Sequence, residues 1–266
     1  MDYLLTREKA GSPRGIIQGA PHSHVRFLPS AMLRPFVEHF WSVSWDLSAS
    51  SPQVVQTLPH PSVHIVFEAG KAAEVGGVHR GRFSRTLMGT GQVFGIKFRP
   101  GGFFPYAPWP IIQLTDRTLP IDAVFGRAGA QLNDTILGES TIEQRMFAVE
   151  RFLLARLPAL DPNTALVERL VAHILAQAAT TRVDELCELA GLSKRALQQL
   201  FRTYVGIGPK WMIQRYRLHE ALERLNGQDA VDWVDFALTL GYFDQAHFSK
   251  DFRQIVGMTP GEYRAR

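Results

Sequence analysis

Two stretches of this chain carry side chains able to recognise a patterned polar surface. Lys194, Arg195, Gln198, Gln199 and Arg202 fall at steps that place them on one face of a helix, and Gln245, His247, Lys250 and Arg253 lie outside the apolar stripe of a second helix farther along. Guanidinium and ammonium groups can fork onto guanine edges or hold phosphate, and a glutamine amide can pair with adenine through two hydrogen bonds. A solvated helix face carries such residues as a matter of course, so neither set is informative alone.

Each set belongs to one copy of an internal repeat. The first copy runs Ala190-Gly191-Leu192-Ser193, Leu197, Phe201-Arg202, Val205-Gly206 and Pro209; the second runs Leu240-Gly241-Tyr242-Phe243, Phe248, Phe252-Arg253, Val256-Gly257 and Pro260. From Leu197 onward the matched positions are offset by 51 residues, whereas Gly191 and Gly241 are offset by 50, so the second turn holds one inserted residue. A short helix, a glycine turn and a second amphipathic helix make the helix-turn-helix pattern, whose second helix can lie in the DNA major groove.

In the first copy the incoming helix is expected over Val183 to Ala190, with Leu186, Leu189 and Ala190 turned inward. Gly191 ends it, because glycine enters the left-handed conformation without steric cost. Ser193 is placed to cap the next helix, which Leu197, Leu200, Phe201 and Tyr204 anchor. In the second copy Asp244 is the expected cap and Phe248, Phe252 and Ile255 the buried stripe. The exposed sets differ in chemistry, so one chain is expected to read two unlike half-sites. Between the copies, Lys210 to Leu225 reads as one helix behind Pro209, with Trp211, Leu218, Leu222 and Leu225 on a shared face. Such a helix would hold the two units at nearly fixed separation, suited to successive turns of one groove about 34 Å apart.

Gly241-Tyr242, Asp244-Gln245-Ala246-His247-Phe248-Ser249-Lys250, Phe252-Arg253, Gly257, Thr259-Pro260 and Tyr263-Arg264 resemble the C-terminal signature of the AraC/XylS family of bacterial transcription regulators, and the likeness runs from near Thr164 to Arg266. The resemblance implies a seven-helix module with two helix-turn-helix units that binds double-stranded promoter DNA and often contacts RNA polymerase. It implies base-reading positions at Arg195, Gln198 and Gln199 in the first recognition helix, and at Gln245, Ala246, His247 and Lys250 in the second. Ala246 departs from the pattern, since a polar residue is often found there; its remaining use is contact with a thymine methyl. For His247 a capping or packing role stands beside the base-reading one. Cys187, between acidic and leucine neighbours, reads as a helix-packing thiol.

Net charge does not by itself point to DNA. The chain has 29 basic and 25 acidic residues, and the stretch from Asn163 to Arg266 has 13 and 12. Distribution carries the argument: Asp184, Glu185, Glu188, Glu220 and Glu223 lie on the incoming and connecting helices, while the basic groups gather on the recognition helices. Affinity independent of sequence is therefore expected to be moderate and salt-dependent. With one cysteine in 266 residues, neither a disulfide within the chain nor a four-cysteine zinc cluster can form. No apolar run approaches the length needed to span a bilayer, and the cytoplasm, in association with the nucleoid, is the expected compartment.

Residues 1 to about 126 read differently. Apolar stretches at Val63 to Phe67, Leu87-Met88 and Val93 to Phe98 are separated by breaks at Gly70, Gly76-Gly77, Gly81, Gly89–Gly91 and Gly101-Gly102. Val93, Gly95 and Lys97 alternate with Phe94, Ile96 and Phe98, as in a strand with one buried face. Thr141 to Leu157 has helical spacing, and Pro158 to Thr164 reads as an interdomain linker. The expected fold is α+β. A β-rich half, cupin-like or another small barrel with a helical extension, covers 1–160, and an all-α tandem helix-turn-helix domain covers 161–266.

Gln56 to Pro59, Val63 to Phe67, Gly95 to Gly102 and Leu114 to Arg117 also resemble the sensor domain attached to some regulators of this family. That likeness implies sensing or dimerisation and names no ligand. His60 and His64 stand where acidic residues are common in it. Phe67, Phe94, Phe98, Phe103, Phe104, Tyr106 and Trp109 supply aromatic surface for a core, with enough to line a small apolar pocket.

His22 and His24 would share a face of an extended strand as a potential metal pair, although spacing yields no third ligand; His60 and His64 would lie too far apart. Asp116 and Asp122 read as loop or cap residues. No nucleophile motif, phosphate loop or paired carboxylates stand out, so no cofactor, metal or catalytic residue is expected. Three readings remain: a regulator gated by a small-molecule effector, a regulator controlled by its abundance with a structural N-terminal half, and an enzyme targeted by its DNA module. The first is the expectation, with promoter DNA, RNA polymerase, an effector and a second copy of the chain as candidate partners, and no membrane.

Overall fold

The glycine-rich breaks of the N-terminal half separate short strands, most of which pair with strands distant in sequence. The computed structural model describes residues 16–18, 23–49, 51–107, 109–225 and 231–265. The strands among them are β1 (Ile16–Gln18), β2 (Ser23–Phe27), β3 (Val37–Leu47), β4 (Gln53–Thr57), β5 (His64–Glu68), β6 (Glu74–Gly76), β7 (Phe83–Leu87), β8 (Gly89–Phe98) and β9 (Thr118–Pro120). All pair antiparallel, in a six-stranded sheet of order β2-β3-β8-β5-β6-β9 and a three-stranded sheet of order β1-β4-β7. The two sheets share a core of Trp45, Leu47, Leu87 and Val93, against which Val55 and Val66 pack.

This second sheet corrects the expectation of one buried face on β8. Residues Val93 to Phe98 are all buried: Val93 packs between the sheets, Phe94, Ile96 and Phe98 face a separate helical layer, and Lys97 donates to Glu38 at 2.8 Å. The expected break at Gly89–Gly91 is also revised. Gly91 and Gly95 lie within β8, opposite Trp45 and Trp41 of β3, and a Cβ at either would overlap the facing indole, at 2.2 and 2.3 Å. They are glycines because two indoles need the space.

Helices α1 (Ile121–Phe125), α2 (Arg127–Gly138) and α3 (Ile142–Leu154) cover the other face of the six-stranded sheet. Phe40, Ile65, Phe94 and Ile96 meet Leu132, Ile136, Val149 and Leu153 in that core. Phe67, Phe94, Phe98 and Phe103 are buried in it, and Phe104, Tyr106 and Trp109 pack at its margin, so the aromatic group fills this layer. Thr141 starts α3 with a reciprocal capping box to Gln144.

Seven helices follow among the described residues: α4 (Pro162–Gln177), α5 (Val183–Ala190), α6 (Lys194–Tyr204), α7 (Pro209–Leu225), α8 (Trp233–Thr239), α9 (Gln245–Val256) and α10 (Pro260–Arg264). The last residues of the expected linker therefore already belong to α4, which Asp161 caps by accepting from the Asn163 amide at 2.9 Å. No helix among the described residues is long and apolar enough to cross a membrane.

His22 lies outside the described residues. His24, on β2, accepts from Arg26 at 3.5 Å and packs edge-on against Trp41. His60 is off the strand that carries His64, and no group of three or more metal-ligating side chains is present among the described residues. Asp116 holds the Arg80 amide and guanidinium at 2.7 and 2.6 Å, and Asp122 sits in the first turn of α1.

Candidate nucleic-acid interface

Helix α5 spans Val183–Ala190 as expected and stops at Gly191, whose φ of 65° is left-handed. Its inward stripe is Leu186, fully buried, with Val183, Cys187 and Ala190 packed beside it. Leu189 was expected inward but is exposed, because it projects well off the stripe that 183, 186, 187 and 190 define on a helix of two turns. Ser193 caps α6 by accepting from the Ala196 amide at 3.3 Å, and Leu197, Leu200, Phe201 and Tyr204 are buried. This anchoring turns Lys194, Arg195, Gln198, Gln199 and Arg202 to solvent. Lys194 is 2.7 Å from Asp184 of the incoming helix, and that contact raises its pKa. Gln199 donates to Thr203 at 3.2 Å.

The second unit repeats the mechanics. Asp244 caps α9 by accepting from the His247 amide at 2.7 Å, and Phe248, Phe252 and Ile255 are buried. Gln245, Ala246, His247, Lys250 and Arg253 are exposed. The His247 ring packs edge-on against Tyr242 at 5.4 Å and lies 3.7 Å from Asp251, while its side chain remains 53% exposed. Lys250 and Arg253 border an open concavity completed by Ser249, Gln254 and Thr259. Ser249 and Gln254 neighbour the expected residues in sequence, and Thr259 is the cap of the following helix.

Helix α7 joins the units. Its first half contributes Met212, Ile213 and Tyr216 to the core of the first unit, and its second half contributes Leu218, Ala221, Leu222 and Leu225 to that of the second. At the seam, Arg217 donates to Ala178 O at 2.8 Å, Ala179 O at 3.1 Å and Thr181 O at 3.3 Å in the turn ahead of the first unit, and to Gly241 O at 2.9 Å in the second. Burial lowers its pKa.

Trp211 is only half-buried, with the Arg215 guanidinium 4.3 Å from its ring centre. Arg215 itself is wholly buried and His219 nearly so, which the apolar pattern of this helix did not signal. The β-rich half covers that face. Arg215 donates to His79 O at 2.8 Å and Arg80 O at 2.6 Å, and burial lowers its pKa to about 9, still charged at neutral pH. His219 stacks on His60 with ring centres 4.1 Å apart.

The same half touches matching points on both units. Thr115 donates to Gly206 O at 2.5 Å behind the first recognition helix, and Arg82 donates to Val256 O at 3.2 Å at the end of the second. Val78 enters the core of the first unit and Leu58 that of the second. The polar faces of α6 and α9 stay open on a body otherwise gripped from behind.

Both parts of the chain resemble known proteins. Residues 186–266 match the family described as "Helix-turn-helix domain", and residues 25–120 match "Domain of unknown function (DUF6597)". The HTH-type transcriptional activator RhaR of Klebsiella pneumoniae is 33% identical over 110 residues, which are 41% of this chain and 39% of that protein. The putative HTH-type transcriptional regulator YkgA of Escherichia coli is 34% identical over 86 residues, 32% of this chain and 35% of that protein. The chain thus spans well under half the length of these relatives. A solved transcriptional regulator of Chromobacterium violaceum, with an AraC-type DNA-binding domain, is 28% identical over 38% of this chain and 90% of that one, with a TM-score of 0.35. The C-terminal part of this chain is thus similar to the helix-turn-helix domains of transcription regulators, and its β-rich part to a family whose description assigns no function.

Proposed function

We propose that this chain is a sequence-specific transcription regulator of the cytoplasm and not an enzyme, and that its two recognition helices read successive major-groove turns of promoter DNA. The observation that carries the reading is the pair of capped, Phe-anchored helices α6 and α9, each exposing its whole expected polar set. Arg195, Gln198 and Gln199, and Gln245, His247 and Lys250, read base edges in this account. Lys194, Arg202 and Arg253 hold phosphate, and Ala246 offers a methyl contact. The division of labour falls between 1–160 and 161–266.

Control by a small molecule in the β-rich half is part of the proposal. Its support is the grip of Thr115, Arg82 and the 79–80 carbonyls on the module, since a ligand that moves these loops changes how both helices are presented. RNA polymerase and a second copy of the chain are further proposed partners.

Selection of bound sites from a random duplex library with the full chain, at about 150 mM salt, tests the reader. The expected result is an enriched site with two unlike half-sites about one helical turn apart. No enrichment by either the full chain or residues 163–266 overturns it. A thermal-shift screen with small metabolites tests the control, a saturable ligand that also alters DNA affinity being the expected outcome. Absence of such a ligand from a broad screen favours control by abundance.

A further inference from the structure

We propose that Arg217 sets the spacing at which the two recognition helices are presented, an inference that rests on the DNA-reading function above. The hydrophobic cores of the two units share no buried residue, and α7 feeds one with its first half and the other with its second. Apolar packing is non-directional, so beside the grip of the β-rich half at Gly206 and Val256 it is a directional tie at the seam that can fix the angle between the units.

Arg217 stands at that seam, between Tyr216 of the first core and Leu218 of the second. Its planar fork bonds three carbonyls of the turn at 178–181 and one of the Gly241 turn, so a single rigid group fixes four backbone points from both units. The same turns meet directly: a Cβ at Gly241 would lie 1.8 Å from Ala179 O. The guanidinium also lies 5.8 Å from the ring of Tyr242, which packs on His247 of the second recognition helix. A change at the seam therefore reaches the reading face through one intermediate ring.

Two reading heads on one body bind as a bivalent ligand, whose gain over single-site binding depends on how well their separation matches the target. Loosening the tie leaves each head's base preference intact and broadens the separations the chain accepts. Lysine keeps the charge and cannot reproduce the fork, so R217K isolates geometry, and R217Q is a second variant that removes the charge.

The test measures affinity of the full-length chain for paired half-sites whose separation is varied one base pair at a time. The wild type is expected to prefer one spacing, and R217K and R217Q are expected to reduce that preference about tenfold with unchanged base preference inside each half-site. A uniform loss at every spacing, or an unchanged profile, overturns the proposal. Spin labels at Q199C and Q254C in a C187S background, without DNA, give a second readout. A narrow distance distribution in the wild type that broadens in R217K supports the tie, and equal widths overturn it. If the wild type enriches no paired site, the DNA-reading function falls and the spacing role with it. If it enriches one and the variants keep its spacing profile, the Arg217 role alone falls.

Discussion

In the first unit the turn glycine, Gly191, faces open space; in the second, Gly241 is pressed against the carbonyl of Ala179. Both are left-handed, with φ of 65° and 76°, so the local demand of the turn is the same and the surroundings differ. A parallel holds behind the recognition helices. The repeat-related Gly206 and Gly257 both have the β-rich half at their backs, but one meets the Thr115 hydroxyl and the other the Arg82 guanidinium. The duplication preserved the mechanics of each unit, and the contacts that fasten the units to their neighbours diverged.

The comparison breaks first at the anchors. Phe201→Ala and Phe252→Ala remove equivalent, fully buried rings, and each is expected to lower stability by about 3–5 kcal/mol in chemical denaturation. A large inequality would mean that one unit's core relaxes where the other's does not. The turns should separate more sharply. Gly191→Ala meets only the left-handed strain, roughly 1–2 kcal/mol, whereas Gly241→Ala adds a backbone collision and should reach about 3 kcal/mol or more. Equal shifts in melting temperature would show that the Ala179 contact is easily displaced.

The reading faces give a smaller and more selective effect. Arg195→Ala and Lys250→Ala should each cost about 1–3 kcal/mol on the best site and relax preference at one position in different half-sites. Equal loss on every sequence, measured by competition binding, would assign the residue to phosphate. The caps come last. Ser193→Ala and Asp244→Ala should each destabilise by about 1 kcal/mol, because each leaves one amide at a helix start without its acceptor. Circular dichroism melts would show whether the two caps are as alike as their positions.

Much of the site was legible in the residues because its determinants are local. A glycine at each turn, Ser193 and Asp244 as caps, and phenylalanines at helical spacing fix where α6 and α9 begin and which face they expose. The errors lie where a short element meets no neighbour or an unforeseen one. Leu189 is apolar and exposed because it lies off the buried stripe of α5, and β8 has a second buried side where Val93 packs against the three-stranded sheet.

The sequence by itself determined the two helix-turn-helix units, their caps, their anchors and the helix between them, since spacing along one chain specifies a helix face. Tertiary structure alone decided what holds those readers in place. Arg215, Arg217 and His219 are polar residues of a type that usually faces solvent, and their roles come from carbonyls and rings brought to α7 from 79–80, 178–181, Gly241 and His60. A backbone acceptor is present in every residue and leaves no mark on residue identity, so only the fold reveals which guanidinium it meets.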